Sequence, residues 1–246
     1  MDKNGQKVWT IPRSSLPTEH ILLASGHDEA RPALDLVYWT GKYFACADGW
    51  LLGGICPIDE LDVPEVILPP EIINATSDVT VHKDGWVEFD TKHGRSHWKA
   101  SKEKAIKDIN RVIPCVDDLY HACTLPLTQM DQAAGRLWRK KRDSRIAVLR
   151  KSKTGIAVAF KIKSENTYFV DFRISESSLD HQVGEPIIGL DMGFIVRLSQ
   201  AINLGRTPAR VELWLHKEDA LARAFVIRMP NKPHIGVQMP LHVERS

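Results

Sequence analysis

Residues 128–142 read TQMDQAAGRLWRKKR, and the reading of this stretch decides the rest. Met130, Ala133, Ala134, Leu137 and Trp138 fall at i, i+3, i+4, i+7 and i+8, one apolar stripe at helical spacing. Gln129, Gln132, Arg136, Arg139 and Lys140 take the opposite face. Thr128 sits where an N-cap belongs, and Asp131 lies near the helix start, where the dipole favours an anion. From Arg136 to Lys153 there are nine Lys or Arg and one Asp, a local charge of +8 in a chain whose total is +2. The remaining residues therefore sum to −6. Charge gathered in this way suggests a face for a polyanion, with a merely solvated basic helix as the plain alternative.

This helix opens the second of two half-chains with matching element order. The first half predicts a strand over 8–12, a short helix over 14–25, and strands over 33–39 and 43–47 turning at Thr40-Gly41-Lys42. A strand over 66–68 and a helical turn over 69–76 follow. A hairpin then pairs 79–82 with 86–91 about Lys83-Asp84-Gly85, and a last strand covers 97–100. The second half predicts a helix over 128–141 and strands over 146–150, 156–162 and 168–175. A strand over 186–190 runs into a helix over 191–204, with Ile195, Leu198 and Ile202 as its stripe and Gly205 as its stop. Strands over 210–215, 224–228 and 235–239 end the chain. The expected fold class is α+β, two tandem domains each with two helices packed on β-sheets, at 1–121 and 122–246. Identity between the halves is low, so the repeat is architectural.

A chain of 246 residues with 43% hydrophobic and 26% charged residues is ordinary for a soluble globular protein. No apolar run approaches the roughly 18–20 residues that span a bilayer, and the N-terminus lacks an apolar signal segment. Cys46, Cys56, Cys115 and Cys123 form no CxxC, which favours reduced thiols inside a cell. No Walker A, dinucleotide-binding glycine loop or GxSxG elbow is present. His93 and His97 lack the glutamate of an HExxH site, and Cys115, Asp117, Asp118, His121 and Cys123 fall at the expected domain linker. The sequence thus predicts no catalytic residue, metal or cofactor, and a protein that is not an enzyme.

Several segments resemble, in the same order, the bacterial β-type DNA sliding clamp. HDEARPAL (27–34) is similar to that family's KDETRPAL, FACADGWLLG (44–53) to VATDGHRLA, and VILPPEII (66–73) to VIVPRKAL. KDINRVIP (107–114) resembles FPDYRRVIP. EPIIGLDMGFIVRLSQAI (185–202) resembles LEIGFNVRYLLDALKAL, and VQMPLHV (237–243) resembles the terminal VMPMRL. The resemblance implies a DNA clamp fold in which six domains close a ring, with helices lining the hole and sheets outside. The chain corresponds to the second and third of the family's three domains, so three copies would supply six.

The implied function is a polymerase processivity factor that encircles duplex DNA. Arg136, Arg139, Lys140, Lys141, Arg142 and Arg197 would meet phosphates, with Gln200 and Arg145 as lesser candidates. Polymerases and other proteins with a clamp-binding motif would insert a hydrophobic peptide between the two domains. That cleft maps onto Leu34, Ala47, Gly49, Trp50, Leu52, Pro114, Phe194, Val237, Met239, Pro240 and Leu241. The family's His and Arg after TDG are Trp50 and Leu51 here, which makes the pocket more apolar. Further implied partners are a clamp-loader ATPase and other copies of the chain, with no membrane. The setting is the cytoplasm of a bacterium, or a virus or mobile element replicating in one. Two alternatives stay open: a clamp-like polymerase accessory that forms no ring, and a peptide-binding module that never encircles DNA. Strand edges at Val37-Tyr38 and at 225–227 are candidate subunit contacts.

Overall fold

A computed structural model describes residues 7–26, 32–48, 51–55, 61–100, 112–138, 146–153, 155–162, 166–172, 182–232 and 234–241. The chain forms two units, Met1–Arg111 and Val112–Ser246.

In the first unit, β1 (Val8–Ile11), β6 (Val79–His82), β7 (Trp86–Thr91) and β8 (Gly94–Lys99) make one antiparallel sheet in the order β1-β6-β7-β8. β2 (Val37–Trp39), β3 (Phe44–Ala47), β4 (Leu51–Ile55) and β5 (Val66–Leu68) make another, in the order β5-β2-β3-β4. β2, β3 and β5 are buried on both faces; within them the Trp39 and Phe44 rings meet at a tilt, centroids 4.7 Å apart, and the Trp39 indole N–H donates to the Val63 carbonyl at 3.0 Å. Gly85, with φ of +89°, supplies the positive φ that the β6–β7 turn demands.

The second unit repeats the plan. Its elements are β9 (Leu119–Leu125), α1 (Leu127–Trp138), β10 (Ile146–Ser152), β11 (Gly155–Ile162), β12 (Asn166–Phe172), β13 (Pro186–Asp191), α2 (Met192–Ile202), β14 (Val211–His216), β15 (Phe225–Arg228) and β16 (Ile235–Gln238). β9, β14, β15 and β16 lie side by side in that order, as do β13, β10, β11 and β12. Numbered within its own unit, each chain half pairs strands 1-6-7-8 and 5-2-3-4. The fold class is α+β, as expected, and the repeat lies in the pairing order.

The halves differ in their helical segments. Where a helix over 14–25 is expected, the first unit has 3-10 turns at Arg13–Ser15 and Glu19–Ala24, with Pro17 between them. Six residues cannot repay the cost of helix nucleation, so burial of Ile21 and Ala24 holds the turn instead. Pro70–Asn74 is likewise a 3-10 turn anchored by buried Ile72. Both full α-helices among the described residues belong to the second unit.

Two strands have no counterpart in the sequence reading. β4 reads LLGGI, and its glycines hide a strand that pairs with β3 from Ala47–Leu52 to Phe44–Ile55. β9 occupies the expected linker and pairs with β14, in the unit that begins at Val112. In β9, His121 faces Trp214 and Cys123 faces Leu213, so Ala122 is an extra residue that breaks the alternation of a strand. The two strand edges proposed as subunit contacts are interior: β2 lies between β5 and β3, and β15 between β14 and β16.

The core of the second unit closes where β16 meets α2. A Cβ at Gly236 would lie 2.5 Å from Leu198 Cγ and 2.9 Å from Ile227 Cγ1, both in fully buried side chains. Gly236→Val is therefore expected to cost about 1–3 kcal/mol by overpacking, read as a lower urea midpoint. An unchanged midpoint would mean that α2 and β16 are not held this close.

Candidate functional site

α1 presents the expected amphipathic surface over the part whose side chains are described. Leu127 and Met130 are fully buried, while Gln129, Gln132 and Gly135 are exposed. Thr128 is not the cap. The helix begins one residue earlier, the Met130 N–H donates to the Pro126 carbonyl, and the Thr128 hydroxyl donates to the Pro208 carbonyl at 3.2 Å. That bond pins the start of α1 to the segment following α2. Arg136 lies on α1, with its side chain outside the description. Arg139, Lys140, Lys141, Arg142 and Arg145 lie outside the described residues.

α2 is fixed at both ends. Asp191 Oδ1 accepts from the N–H groups of Gly193 (2.8 Å) and Phe194 (3.1 Å), satisfying two of the donors a helix start leaves open. At the other end, Gly205 has φ of +79° and donates its N–H to the Gln200 carbonyl at 2.8 Å. Gln200 also donates its amide to Thr207 Oγ1, so it is engaged locally. The Arg197 guanidinium lies over the Phe194 ring, 5.2 Å from its centroid. A residue expected at DNA and one expected in the peptide cleft thus form one stacked pair. Their i, i+3 spacing was the signal available in the sequence.

β16 and its continuation run antiparallel to α2. Lys232 Nζ donates to Asn203 Oδ1 at the helix C-terminus, Gly236 meets Leu198 midway, and the Leu241 N–H donates to the Gly189 carbonyl just ahead of the helix N-terminus. Strand and helix rises of about 3.3 and 1.5 Å per residue put Met239 near the level of the first α2 turn, which carries Phe194. Met239 is 41% exposed, Phe194, Pro240 and Leu241 are half-buried, and Val237 is buried. His234 enters β16 with its imidazole pKa held below the usual value by burial and then by Lys232.

The other cleft candidates are placed as follows. Leu34 and Ala47 are buried, at 2% and 1% exposure. Leu52 pairs with Ala47 in the sheet, its side chain outside the description, and Gly49 and Trp50 lie outside the described residues. Pro114 is half-buried and belongs to the second unit.

Among the described residues no group of three His, Cys, Asp or Glu is arranged to hold a metal. His97 Nδ1 and His82 Nε2 instead share Glu88 Oε1, at 3.5 and 3.4 Å. Burial pushes the Cys46 thiol up and the Cys123 thiol up to about 12, so neither supplies a thiolate at neutral pH. His121 packs on Trp214, which also meets the Arg228 guanidinium at 5.2 Å and donates its indole N–H to Glu212 Oε2 at 3.2 Å. No described helix is long and apolar enough to cross a membrane.

No family model and no curated protein sequence matches the chain. Solved structures do. A Caulobacter crescentus β sliding clamp superposes with a TM-score of 0.68 at 19% identity, over 99% of this chain and 67% of that one. The DNA polymerase III subunit β of Pseudomonas aeruginosa gives 0.67 at 13% identity, over 99% and 68%. The DNA polymerase β subunit of Streptococcus pyogenes gives 0.65 at 14%, over 97% and 67%. The chain has the DNA sliding-clamp fold. It spans about two thirds of the length of those clamps.

Within this clamp fold, Asp191 sets the pose of the α2 turn that carries Phe194 and Arg197. Asp191→Ala is expected to lower stability by about 1 kcal/mol, and Asp191→Asn by less. Urea unfolding followed by circular dichroism measures both; equal, negligible effects would show that the cap contributes nothing.

Proposed function

We propose that the chain is a DNA sliding clamp, a processivity factor that tethers a polymerase to duplex DNA and performs no covalent chemistry of its own. The observation that carries this reading is the twice-repeated strand order, 1-6-7-8 with 5-2-3-4, on a chain superposing on bacterial clamps over 99% of its length. A chain with two such units reaches six through three copies, so the proposed assembly is a homotrimeric ring of clamp domains, opened by a loader ATPase.

Ring closure needs an edge on each unit. β8 pairs only with β7, and β12 only with β11, among the described residues. The β12 sequence, NTYFVDF, contains neither the Lys nor the Pro that guards an exposed edge. We assign the contact between copies to these two strands.

DNA would be held by topology and by loose phosphate contacts from Arg136, Arg139 and Lys140, with Lys141 and Arg142 beyond them. The exposed Gln129 and Gln132 mark the open face of the helix on which Arg136 lies. Phosphate contacts carry no sequence information and weaken with salt as counterions return. Replication proteins would dock a hydrophobic peptide on Phe194, Met239, Pro240 and Leu241 of the second unit.

Two measurements test this reading. Light scattering across a dilution series is expected to give a stable species of three times 27.8 kDa; a monomer at micromolar concentration would overturn the ring and favour an accessory that does not encircle DNA. Replacing Arg136, Arg139 and Lys140 together by Glu is expected to abolish retention on circular DNA. In equilibrium duplex binding, each lost phosphate contact should flatten the log–log salt slope by about 0.9. Unchanged retention with intact peptide binding would leave only a peptide-binding module.

A further inference from the structure

The second unit contains two long stretches without an acidic residue, 192–211 and 220–243, and between them they set three cations at one end of the unit. Arg206 and Arg210 are exposed in the segment that follows α2, and Lys232 is exposed between β15 and β16. The Asn203 side chain ties two of them together. Its Oδ1 accepts from Lys232 Nζ at 3.0 Å, and its Nδ2 donates to the Arg206 carbonyl at 2.9 Å. Arg210 immediately precedes β14, and the pairing of Glu212 with Arg228 brings it level with the turn that leads to Lys232. Two acidic residues lie in the neighbourhood. Glu212 accepts the Trp214 indole N–H at 3.2 Å, and the half-buried Asp131, near the start of α1, forms no ion pair with the three cations.

The segment after α2 is fixed in place. The Gln200 amide donates to Thr207 Oγ1 at 3.0 Å, and the Thr128 hydroxyl to the Pro208 carbonyl at 3.2 Å. Leu204 is held at φ of +53° and is 48% exposed, a conformation that a residue with a side chain keeps only where its surroundings impose it. Lys232 serves the end of α2 through Asn203. The guanidinium groups of Arg206 and Arg210 serve no such purpose: among the described residues neither has a hydrogen-bond or ion-pair partner. Two planar donor forks on a fixed loop suit phosphate oxygens.

The Thr128–Pro208 bond also sets this loop beside the start of α1, whose exposed Gln129 and Gln132 lead toward Arg136. At a rise of about 1.5 Å per residue, Thr128 and Arg136 stand roughly 12 Å apart along the helix, about the width of the major groove. Cations therefore bracket the open face of α1 at a spacing that one duplex can meet at both ends. Resting on the proposed DNA-tethering reading, we propose that Arg206 and Arg210 form a second phosphate-contact site, separate from the basic run that begins at Arg136. Asn203 and Lys232 position the loop that carries it. The contacts are to the backbone alone and read no sequence.

The test uses the full chain and a fluorescent duplex, with anisotropy titrations at a series of salt concentrations. Arg206→Gln and Arg210→Gln are each expected to flatten the log–log salt slope by about 0.9, and the double variant by about twice that. Affinity should fall at low salt and converge on that of the unmodified chain as salt rises. Replacing both arginines by Lys is expected to keep the slope, because an ammonium also displaces counterions. The urea midpoint should not move in any of these variants, since both side chains are exposed and unpaired.

An unchanged slope in the double Gln variant, alongside a flattened one when Arg136, Arg139 and Lys140 become Glu, would overturn the second site and leave DNA tethering intact. Absence of duplex binding by the unmodified chain would remove both. A flattened slope that comes with a lower urea midpoint and is not restored by Lys would make the arginines structural and overturn the assignment. Poly-glutamate binding that depends on Arg206 and Arg210 while the duplex slope stays fixed would assign the site to an acidic polypeptide instead.

Discussion

One missing side chain organises the second unit. Glycine is a poor strand residue, costing roughly 0.5–1 kcal/mol against alanine in backbone entropy. At position 236 it nevertheless lets β16 lie directly on Leu198 of α2. The gain is close burial of an apolar strand against a helix whose inward residues, Met192, Ile195, Leu198, Ser199, Ala201 and Ile202, are all buried. With that contact in place, the chain beyond β16 has one course, along α2 toward its first turn. There Leu241 hydrogen-bonds Gly189, and Met239 is left at the surface. The apolar strip is a by-product of how the core closes.

Much of this was legible before any coordinates. α2 was readable because two signals agree: apolar residues at Ile195, Leu198 and Ile202, and Gly205 at the stop; the cap at Asp191 came only with the structure. The β6–β7 hairpin announced itself by Asp84-Gly85. β9 was not readable, since the extra Ala122 breaks the alternation that marks a strand, and β4 was concealed by Gly53 and Gly54. Helices were over-read in the first half, where an apolar run between prolines satisfies helical spacing and lacks the length to be a helix. Pattern reports where apolar residues recur; it does not report whether enough consecutive hydrogen bonds form to pay for the first turn. In the candidate site, the basic run that begins at Arg136 was visible by composition, and the Met239–Leu241 segment only through the resemblance of 237–243 to the terminal residues of the clamp family. The stacking of Arg197 on Phe194 was not, because it depends on which rotamers the helix surface admits.

The two units also divide labour unequally. The same topological positions carry 3-10 turns in the first and α-helices in the second. A turn of five or six residues with one or two buried anchors has little outer surface on which to display charge, whereas α1 has a whole polar face. The +8 cluster begins on the element best able to present it.

The extra residue at Ala122 has a bearing on how such a chain reaches its native state. A protein built twice on one pairing plan offers every strand a decoy, the equivalent strand of the other half, and chains of this kind are prone to exchanging partners while they fold. β1 and β9 hold the same place in their units. β1 runs opposite β6 in unbroken register from Val8–His82 to Ile11–Val79, whereas β9 needs a partner that tolerates a skipped residue at Leu213–Trp214. Swapping the two would leave one strand with a spare residue and the other one short. The irregularity works as an address, telling each half of a doubled chain which sheet is its own.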